Sequence, residues 1–494
     1  MMTSRVRGLV LVLALLVVPA VACGGDGDGG GAGADGGAAG EDGGADGGVP
    51  STVDPSNQFA SASDEWPVPD NGLDDGFALT EASTSYRYWT TMDLDGDRRL
   101  DIVQTGSTEL SQSAWDATGS PYWKVFPGAS ERWNDSAVEW RVPPNGMTSG
   151  FYAADAGGVE WRTFDITGDG KPDLVHTSDP QTGYVWDQAG NAYWKVYAND
   201  GEGGFERPAI NWAVPDSGTS YGFNATTYDS SYWHWATLDV DGDRKPDLVQ
   251  TADPATGYVW DEGGDPYWKV FRNSGDGFER QATTWQVPDS GTSGGFYSVA
   301  TTGAGMWRVV DLDDDGRADL VQTSDPATGY VWDASGEPYW KVFAGEGEGF
   351  AGSPDKWSVP PSGLDDGFFT ARAATSYRYW SLVDIDGDRD LDLVQTGDVS
   401  HPSRVWDASG DPYWKVYRNQ GSGFSADLHR WPIPKSGTAE GFYLVEGNAS
   451  YTSWALLDVD ADGHPDLVQT ADPANSQVWD ASGDPYWKVF RGEE

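Results

Sequence analysis

The sequence predicts an all-β fold, a six-bladed β-propeller of four-stranded antiparallel blades. A nine-residue acidic loop recurs at intervals of 72, 74, 72, 73 and 74 residues, which indicates a repeat architecture. Each repeat carries four strand-like segments and no helical periodicity, as is typical of a propeller blade. A further strand-like segment precedes the first repeat, and the last repeat lacks its fourth. The six loops begin at Asp93, Asp165, Asp239, Asp311, Asp384 and Asp458.

The third repeat shows the four segments in order. Residues 232–238 are aromatic and β-branched and predict strand A, and residues 247–251 predict strand B after the acidic loop. A long insertion at 252–266 precedes strand C at 267–271. A glycine turn then leads into strand D at 278–287. We therefore expect A–B loops and C–D turns at one end of each blade, and B–C insertions at the other.

The two ends of the repeat region predict how the ring closes. The sixth repeat stops after its strand C at 486–490, so it has no strand D of its own. Residues 59–68 match a strand D in kind and follow no strand A, B or C. We expect this N-terminal strand to complete the last blade and remove its exposed edge. Residues 57–494 number 438, which is six units of 73.

The acidic loop has the pattern of a calcium site. In the third copy, aspartates stand at positions 1, 3, 5 and 9, and the backbone carbonyl of Lys245 at position 7 is a further candidate oxygen. Calcium takes six to eight oxygen ligands, whereas zinc prefers nitrogen and sulfur. We expect up to six structural Ca²⁺ ions.

Each loop contributes the residues at positions 1, 3, 5, 7 and 9 to its predicted site. In the second copy Thr167 replaces the aspartate of position 3, so we expect that site to be the weakest. The predicted metal ligands are Asp93, Asp95, Asp97, Arg99, Asp101, Asp165, Thr167, Asp169, Lys171, Asp173, Asp239, Asp241, Asp243, Lys245, Asp247, Asp311, Asp313, Asp315, Arg317, Asp319, Asp384, Asp386, Asp388, Asp390, Asp392, Asp458, Asp460, Asp462, His464 and Asp466.

These loops resemble the FG-GAP/VCBS repeats of calcium-binding β-propellers, including the integrin α-subunit type. Residues 311–319 and 458–466 match that family's Asp-x-Asp-x-Asp-Gly-x-x-Asp pattern, while three other copies carry glycine at position 4 instead of position 6. The resemblance covers residues 57–494 and implies a calcium-binding propeller. Integrin-type relatives commonly have seven blades, but the repeats here number six.

The N-terminal residues predict export. Residues 1–22 read as a signal peptide, with Arg5 and Arg7 before an apolar run too short to span a bilayer. Cys23 is the only cysteine and follows Ala-Val-Ala, which resembles a bacterial lipobox. The composition of residues 24–56 predicts a disordered Gly/Ala/Asp linker after this cysteine, which we expect to be lipidated. We expect a lipoprotein on the outer membrane or cell surface; ordinary signal-peptidase cleavage would instead release a soluble protein.

Charge and residue chemistry narrow the function. The formal net charge of −47 argues against nucleic-acid binding, because phosphate would be repelled. The five histidines occupy five different places in the repeat, and no nucleophile motif is present. The sequence favours a binding or adhesion module for glycan or protein, and we expect a monomeric head and no catalytic residues. The alternative is a polysaccharide-active enzyme, either a lyase or a glycosidase.

The B–C insertions are the candidate ligand face, because long ordered loops often carry function. Three adjacent repeats share Gly-Tyr-Val-Trp-Asp, whose aromatic rings would suit stacking on sugars. The alternative is that these rings pack each insertion onto its own blade. We also expect the strand C lysine, such as Lys269, to pair with the aspartate after the tryptophan, such as Asp261. The candidate ligand residues are Tyr184, Trp186, Tyr258, Trp260, Tyr330 and Trp332.

Overall fold

The structure of the protein is a computed structural model. It describes residues 58–72, 76–79, 88–107, 113–117, 119–146, 150–152, 161–188, 190–224, 234–297, 306–333, 336–362, 367–368, 380–397, 404–407, 410–438, 441–443, 453–481 and 483–493. The predicted signal peptide, Cys23 and the linker lie outside the described residues. In the part of the chain that is described, no helix is long and apolar enough to cross a membrane.

Six four-stranded antiparallel sheets and one two-stranded sheet make up the fold. The first strands are β1 (Gln58–Phe59) and β2 (Asp64–Pro67). Blade 1 has β3 (Trp89–Met92), β4 (Asp101–Gln104), β5 (Tyr122–Phe126) and β6 (Val138–Arg141). Blade 2 has β7 (Trp161–Phe164), β8 (Asp173–His176), β9 (Tyr193–Tyr197) and β10 (Ile210–Ala213). Blade 3 has β11 (Trp235–Leu238), β12 (Asp247–Gln250), β13 (Tyr267–Phe271) and β14 (Thr283–Gln286).

The remaining blades repeat the same order of strands. Blade 4 has β15 (Trp307–Val310), β16 (Asp319–Gln322), β17 (Tyr339–Phe343) and β18 (Asp355–Ser358). Blade 5 has β19 (Trp380–Val383), β20 (Asp392–Gln395), β21 (Tyr413–Tyr417) and β22 (His429–Pro432). Blade 6 has β23 (Trp454–Leu457), β24 (Asp466–Gln469) and β25 (Tyr486–Phe490), and β26 (Gly492–Glu493) follows. In every blade the strands are paired in the order A, B, C and D; blades 1 to 5 follow chain order, and in blade 6 the fourth strand is β2.

The N-terminal strand completes blade 6, as predicted. Strand β2 pairs antiparallel with β25, with Trp66 opposite Trp487, and β1 pairs with β26. The side chain of Phe59 enters the core between blades 5 and 6, where its ring meets Trp414 edge-on at a centroid distance of 5.6 Å. Both ends of the repeat region therefore contribute backbone pairing and buried aromatic surface to the closure.

The hydrophobic core lies between the blades. In strand B of blade 3, two adjacent residues pack into two different cores. Leu248 packs into the cluster shared with blade 2, while the adjacent Val249 packs into the cluster shared with blade 4, because neighbouring strand residues face opposite sides. The last such cluster joins Trp487 of blade 6 to Ile102 of blade 1. The six blades therefore form a closed ring, which confirms the predicted propeller.

Strands A and D are shorter than predicted. In blade 3, strand A covers only Trp235–Leu238, and residues 232–233 lie outside the described residues. Strand D begins at Thr283 rather than at Phe278. Phe278 cannot continue the strand because its N–H bonds to the Ala213 carbonyl of blade 2 at 2.8 Å and its ring packs in the blade 2–3 core.

One tryptophan in each strand C fixes the segment that leads to the next blade. In blade 3 the indole N–H of Trp268 donates to the Phe296 carbonyl at 2.6 Å. The B–C insertion meets this D–A segment, because the Val259 N–H donates to the Gly294 carbonyl at 3.1 Å. The predicted end for the B–C insertions is thereby confirmed. The equivalent indole bonds join Trp123 to Phe151, Trp194 to Phe223, Trp340 to Phe368, Trp414 to Phe442 and Trp487 to Phe77.

We predict that deleting residues 57–69 prevents formation of a monomeric head. Strand β25 would then be an exposed edge, and the blade 5–6 and 6–1 cores would lose Phe59 and Trp66. Size-exclusion chromatography is expected to show aggregates in place of a monomer peak. Deleting residues 24–50 is the control and should leave both the monomer and its melting temperature unchanged. A stable monomer after the first deletion would contradict the closure.

Candidate metal centres and the opposite loop face

Each A–B loop folds around the carboxylate of its first aspartate. In blade 3, Asp239 accepts the N–H of Gly242 through Oδ1 at 2.9 Å and that of Arg244 through Oδ2 at 2.8 Å. Gly242 and Arg244, at positions 4 and 6, have φ of 82° and 70°. Both positions therefore need the left-handed backbone, which costs a non-glycine residue about 1–2 kcal/mol. This explains why either position can carry the glycine.

Five of the six loops bring three carboxylates together. One oxygen from each carboxylate lies within 4.8 Å of the other two, and all the ligand atoms are oxygens. Such a donor set fits a hard cation such as calcium. The groups are Asp93, Asp95 and Asp101; Asp239, Asp241 and Asp243; Asp311, Asp313 and Asp315; Asp384, Asp386 and Asp388; and Asp458, Asp460 and Asp466.

The aspartate of position 9 joins each loop to the blade. This residue opens strand B and is at most 1% exposed in all six blades. In blade 1, Asp101 accepts the Leu94 N–H of the loop at 2.9 Å and the Gly128 N–H of the C–D turn at 2.9 Å. One buried carboxylate thus holds the A–B loop against the C–D turn, which confirms that both lie at the same end of the blade.

Several buried carboxylate oxygens have no hydrogen-bond donor among the described residues. They include Oδ2 of Asp247 in blade 3 and Oδ2 of Asp392 in blade 5, both at position 9, on side chains that are 1% exposed. Burial raises the pKa of Asp247 to about 7 and that of Asp392 to about 8. An unsatisfied buried carboxylate is unfavourable. A bound cation would supply the missing partner, so these residues fit the calcium that the resemblance implies.

Blade 2 differs from the other five blades. Positions 1, 5 and 9 of its loop are aspartates, but their carboxylates do not form a group of three like those of the other loops. Position 3 is Thr167. The Thr167 hydroxyl instead donates to Asp165 at 3.4 Å, and its N–H donates to Asp173 at 3.1 Å. Internal hydrogen bonds thus replace a carboxylate that the other loops offer. That blade 2 has the weakest site stays a prediction.

The backbone at position 7 bends towards position 5. In blade 3 the Lys245 N–H donates to Asp243 Oδ1 at 2.9 Å, and the same bond recurs in the other five blades. Where the residue is basic, its side chain also pairs with position 5, as Lys171 does with Asp169 at 2.9 Å. The carbonyl of position 7 as a ligand stays a prediction.

Three arginines beside the loops were not predicted from the sequence. Each directly follows strand C and contacts the position 3 aspartate of its own blade. The pairs are Arg272–Asp241 at 3.2 Å, Arg418–Asp386 at 3.3 Å and Arg491–Asp460 at 2.9 Å. The available signal was that the residue after Tyr-Trp-Lys-Val-Phe or Tyr-Trp-Lys-Val-Tyr is arginine in blades 3, 5 and 6 but proline or alanine in the others.

At the opposite end, the strand C lysine has a different partner from the one predicted. In blade 3 the Lys269 ammonium lies 4.4 Å from the centre of the Trp260 ring, and all six blades repeat this cation–π contact at 4.3–4.6 Å. Asp261 instead accepts the Asp265 N–H at 3.2 Å and caps a turn. The predicted ion pair between Lys269 and Asp261 was wrong, because the Trp260 ring lies against the ammonium and Asp261 is used by the turn.

The candidate ligand residues divide into two groups. Trp186, Trp260 and Trp332 each cover a lysine and stack on the tyrosine that opens strand C. The tyrosines stand further out: Tyr258 is 40% exposed and Tyr330 is 48% exposed. Tyr184 is partly buried against Tyr221, with ring centroids 4.6 Å apart. The tryptophans therefore support the loop, and the tyrosines present surface.

Comparison with known proteins gives structural similarities at low identity. No protein-family model and no curated protein sequence matches the chain. The Tc holotoxin pore of Photorhabdus luminescens is similar over 88% of this chain, at 14% identity and a TM-score of 0.47, and the match spans 15% of the toxin chain.

Two further solved structures also match 88% of this chain. An Agrocybe aegerita lectin that recognises non-reducing terminal N-acetylglucosamine is 17% identical, with a TM-score of 0.43 over 91% of its own chain. The rhamnogalacturonan lyase YesW is 14% identical, with a TM-score of 0.31 over 76% of its own chain.

We predict that the metal-free protein loses stability as the pH rises from about 4 to about 8. Burial raises the pKa of Asp466 and Asp392 to about 8, whereas an unfolded aspartate titrates near 3.9. Between these values the native state holds protons that the unfolded state has released, so rising pH favours unfolding. With excess chelator, Tm should fall by roughly 5 °C or more between pH 5 and pH 8. A rising or flat Tm over that interval would contradict the prediction.

Proposed function

We propose that the protein is an exported, non-catalytic binding module of the FG-GAP/VCBS type, whose propeller is stabilised by calcium. The observation that carries the proposal is the gathering of three carboxylates within 4.8 Å in five of the six A–B loops. Acidic turns of ordinary surface loops have no reason to recur at the same place in successive blades. The buried oxygens without a donor in blades 3 and 5 supply a second reason to invoke a cation.

A cation bound in these loops would neutralise carboxylates that otherwise repel one another. In this chain the position 1 aspartate organises the loop backbone, the position 3 and 5 aspartates extend the oxygen set, and the position 9 aspartate carries the effect into strand B. Because position 9 also bonds to the C–D turn, binding at the loop would stiffen the whole end of the blade. The role is structural, since the same arrangement recurs around the ring.

The ligand surface of the proposed module is the opposite end of the propeller. There Tyr258 and Tyr330 expose aromatic rings, and Tyr184 occupies the same position in blade 2. Aromatic rings in a row with nearby acids suit the apolar faces and hydroxyls of a glycan. The tryptophans beneath them fix the loops by covering the lysines. A repeated surface of this kind supports a binding module, whereas catalysis would call for an asymmetric set of residues in one blade.

The proposed location follows from the N-terminal sequence alone. The signal-like segment, Cys23 and the acidic linker are those of a lipoprotein that holds its head away from a membrane surface. We propose the outer membrane or the cell surface as the site of the protein.

The calcium proposal predicts a rise in Tm between excess chelator and 5 mM calcium. At the affinities usual for extracellular sites, each occupied loop contributes about 1–2 kcal/mol. Asp241→Ala should reduce the calcium-dependent rise, and Thr167→Asp should enlarge it by restoring the carboxylate that blade 2 lacks. Thr167→Ala is the matched control, because it removes the hydroxyl without adding a ligand. An identical Tm with chelator and with calcium would overturn the proposal.

The ligand proposal predicts that exposed tyrosines contribute to glycan binding. In a glycan-array screen of residues 57–494, the Tyr258→Ala/Tyr330→Ala variant should lose about fivefold or more in affinity for any glycan that the parent binds, since each lost stacking contact costs about 0.5–1.5 kcal/mol. Val138→Ala and Ile210→Ala are controls, because these exposed apolar residues lie in strand D of other blades. Unchanged affinity with an intact fold would exclude this face.

A further inference from the structure

Blades 3, 5 and 6 each place an arginine against the position 3 aspartate of the loop, and blades 1, 2 and 4 do not. At the equivalent position these other blades have Pro127, Ala198 and Ala344. We propose that the arginine sets the calcium affinity of its loop, so that blades 3, 5 and 6 bind the cation more weakly than blades 1 and 4. The inference rests on the proposed calcium function and divides the sites into two classes.

The arginine contacts one oxygen of the carboxylate and leaves the other facing the loop. In blade 6, Arg491 Nη1 lies 2.9 Å from Asp460 Oδ2, while Asp460 Oδ1 is buried without a donor among the described residues. Blade 5 repeats the arrangement, with Arg418 on Asp386 Oδ2 and Oδ1 without a donor. A cation that used the free oxygen would share this carboxylate with a guanidinium.

The shared carboxylates lie in a partly desolvated place. Their side chains are 15% exposed in Asp241, 8% in Asp386 and 9% in Asp460. Charges separated by a few ångströms interact more strongly there than in bulk water, because less solvent screens them. A guanidinium keeps its charge at any pH at which the protein is folded. The repulsion between the arginine and a divalent cation therefore persists when the loop binds.

The arginine cannot readily move away when a cation arrives, because other elements hold it. In blade 3, Arg272 Nη2 donates to the Gly347 carbonyl of blade 4 at 3.1 Å. In blade 6, Arg491 Nε donates at 2.9 Å to Oδ2 of Asp64, the first residue of the N-terminal strand β2. These contacts also orient the carboxylate, which favours binding. A fixed, permanent positive charge next to the ion outweighs the orientation of a single ligand, so the net effect is weaker binding.

The arginine has a second consequence for the metal-free protein. A guanidinium within 3.3 Å neutralises one of the crowded carboxylates without any bound cation. Blades 1 and 4 also pair a guanidinium with a loop carboxylate, Arg99 with Asp97 at 3.4 Å and Arg317 with Asp315 at 3.3 Å, but these aspartates are 39% and 34% exposed, so solvent screens the pairs more. Blades 3, 5 and 6 should therefore tolerate calcium removal better than blades 1 and 4. In blade 6 this tolerance protects the closure, because Arg491 joins the metal loop to the strand that completes the ring.

The decisive experiment is calcium titration of the full chain by isothermal calorimetry after chelator treatment. For Arg272→Gln we expect one equivalent of the weak class to bind about tenfold more tightly, because the nearby positive charge is gone. Arg280→Gln is the matched control: it removes the same charge from blade 3, but this arginine contacts Asn191 and not the loop. The control should leave the isotherm unchanged.

The reciprocal variant tests the inference without removing any native contact. Ala344→Arg places a guanidinium beside the blade 4 loop and should weaken one equivalent of the tight class by about tenfold. Near-UV circular dichroism establishes that each variant is folded, and if Arg272→Gln does not fold, Ala344→Arg decides alone. Unchanged isotherms in the folded variants would overturn the inference while leaving the calcium function intact. A wild-type chain that binds no calcium would instead overturn the proposed function.

Discussion

A buried aspartate at the start of strand B is the constraint on which the rest of each blade depends. Its carboxylate is almost wholly removed from water, and that is unfavourable unless every oxygen finds a partner. In blade 1 both oxygens of Asp101 are satisfied, by the metal loop and by the C–D turn. In blades 3 and 5 one oxygen is left over. The fold therefore carries a local energetic cost at these carboxylates, which a proton or a bound cation would reduce.

The fold could be predicted from the sequence because every repeat carries the same pattern of strands and loops. A fixed interval, a missing last strand and an unmatched first strand determine the blade number and the closure without knowledge of any single contact. Strand ends could not be predicted in this way. Phe278 has the composition of a strand residue, yet it turns towards blade 2 because its ring completes the neighbouring core. Contacts between blades decide where such strands end, and these contacts cannot be read from the local sequence.

The sequence predicted part of the candidate metal sites. Alternating aspartates indicated which side chains gather, and Thr167 indicated which blade would differ. The side chains that contact the charged residues at the two ends of the blade were harder to predict. Lys269 has a nearby aspartate in sequence, but the indole of Trp260 covers its ammonium. Arg272 lies 31 residues after its carboxylate partner Asp241 and far outside the nine-residue motif. Interactions made across two strands leave no local pattern that a motif can capture.

The two ends of the propeller are built on opposite principles. At the end with the acidic loops the loop geometry is repeated, and the residues that vary include Thr167 at position 3, the residue at position 7 and the three arginines after strand C. At the other end every blade keeps the tryptophan that covers the strand C lysine. The residue two positions before that tryptophan changes freely, through Ser113, Tyr184, Tyr258, Tyr330, Arg404 and Gln477. Because the tryptophan–lysine contact recurs in all six blades whatever residue precedes it, this position can vary while the contact is kept.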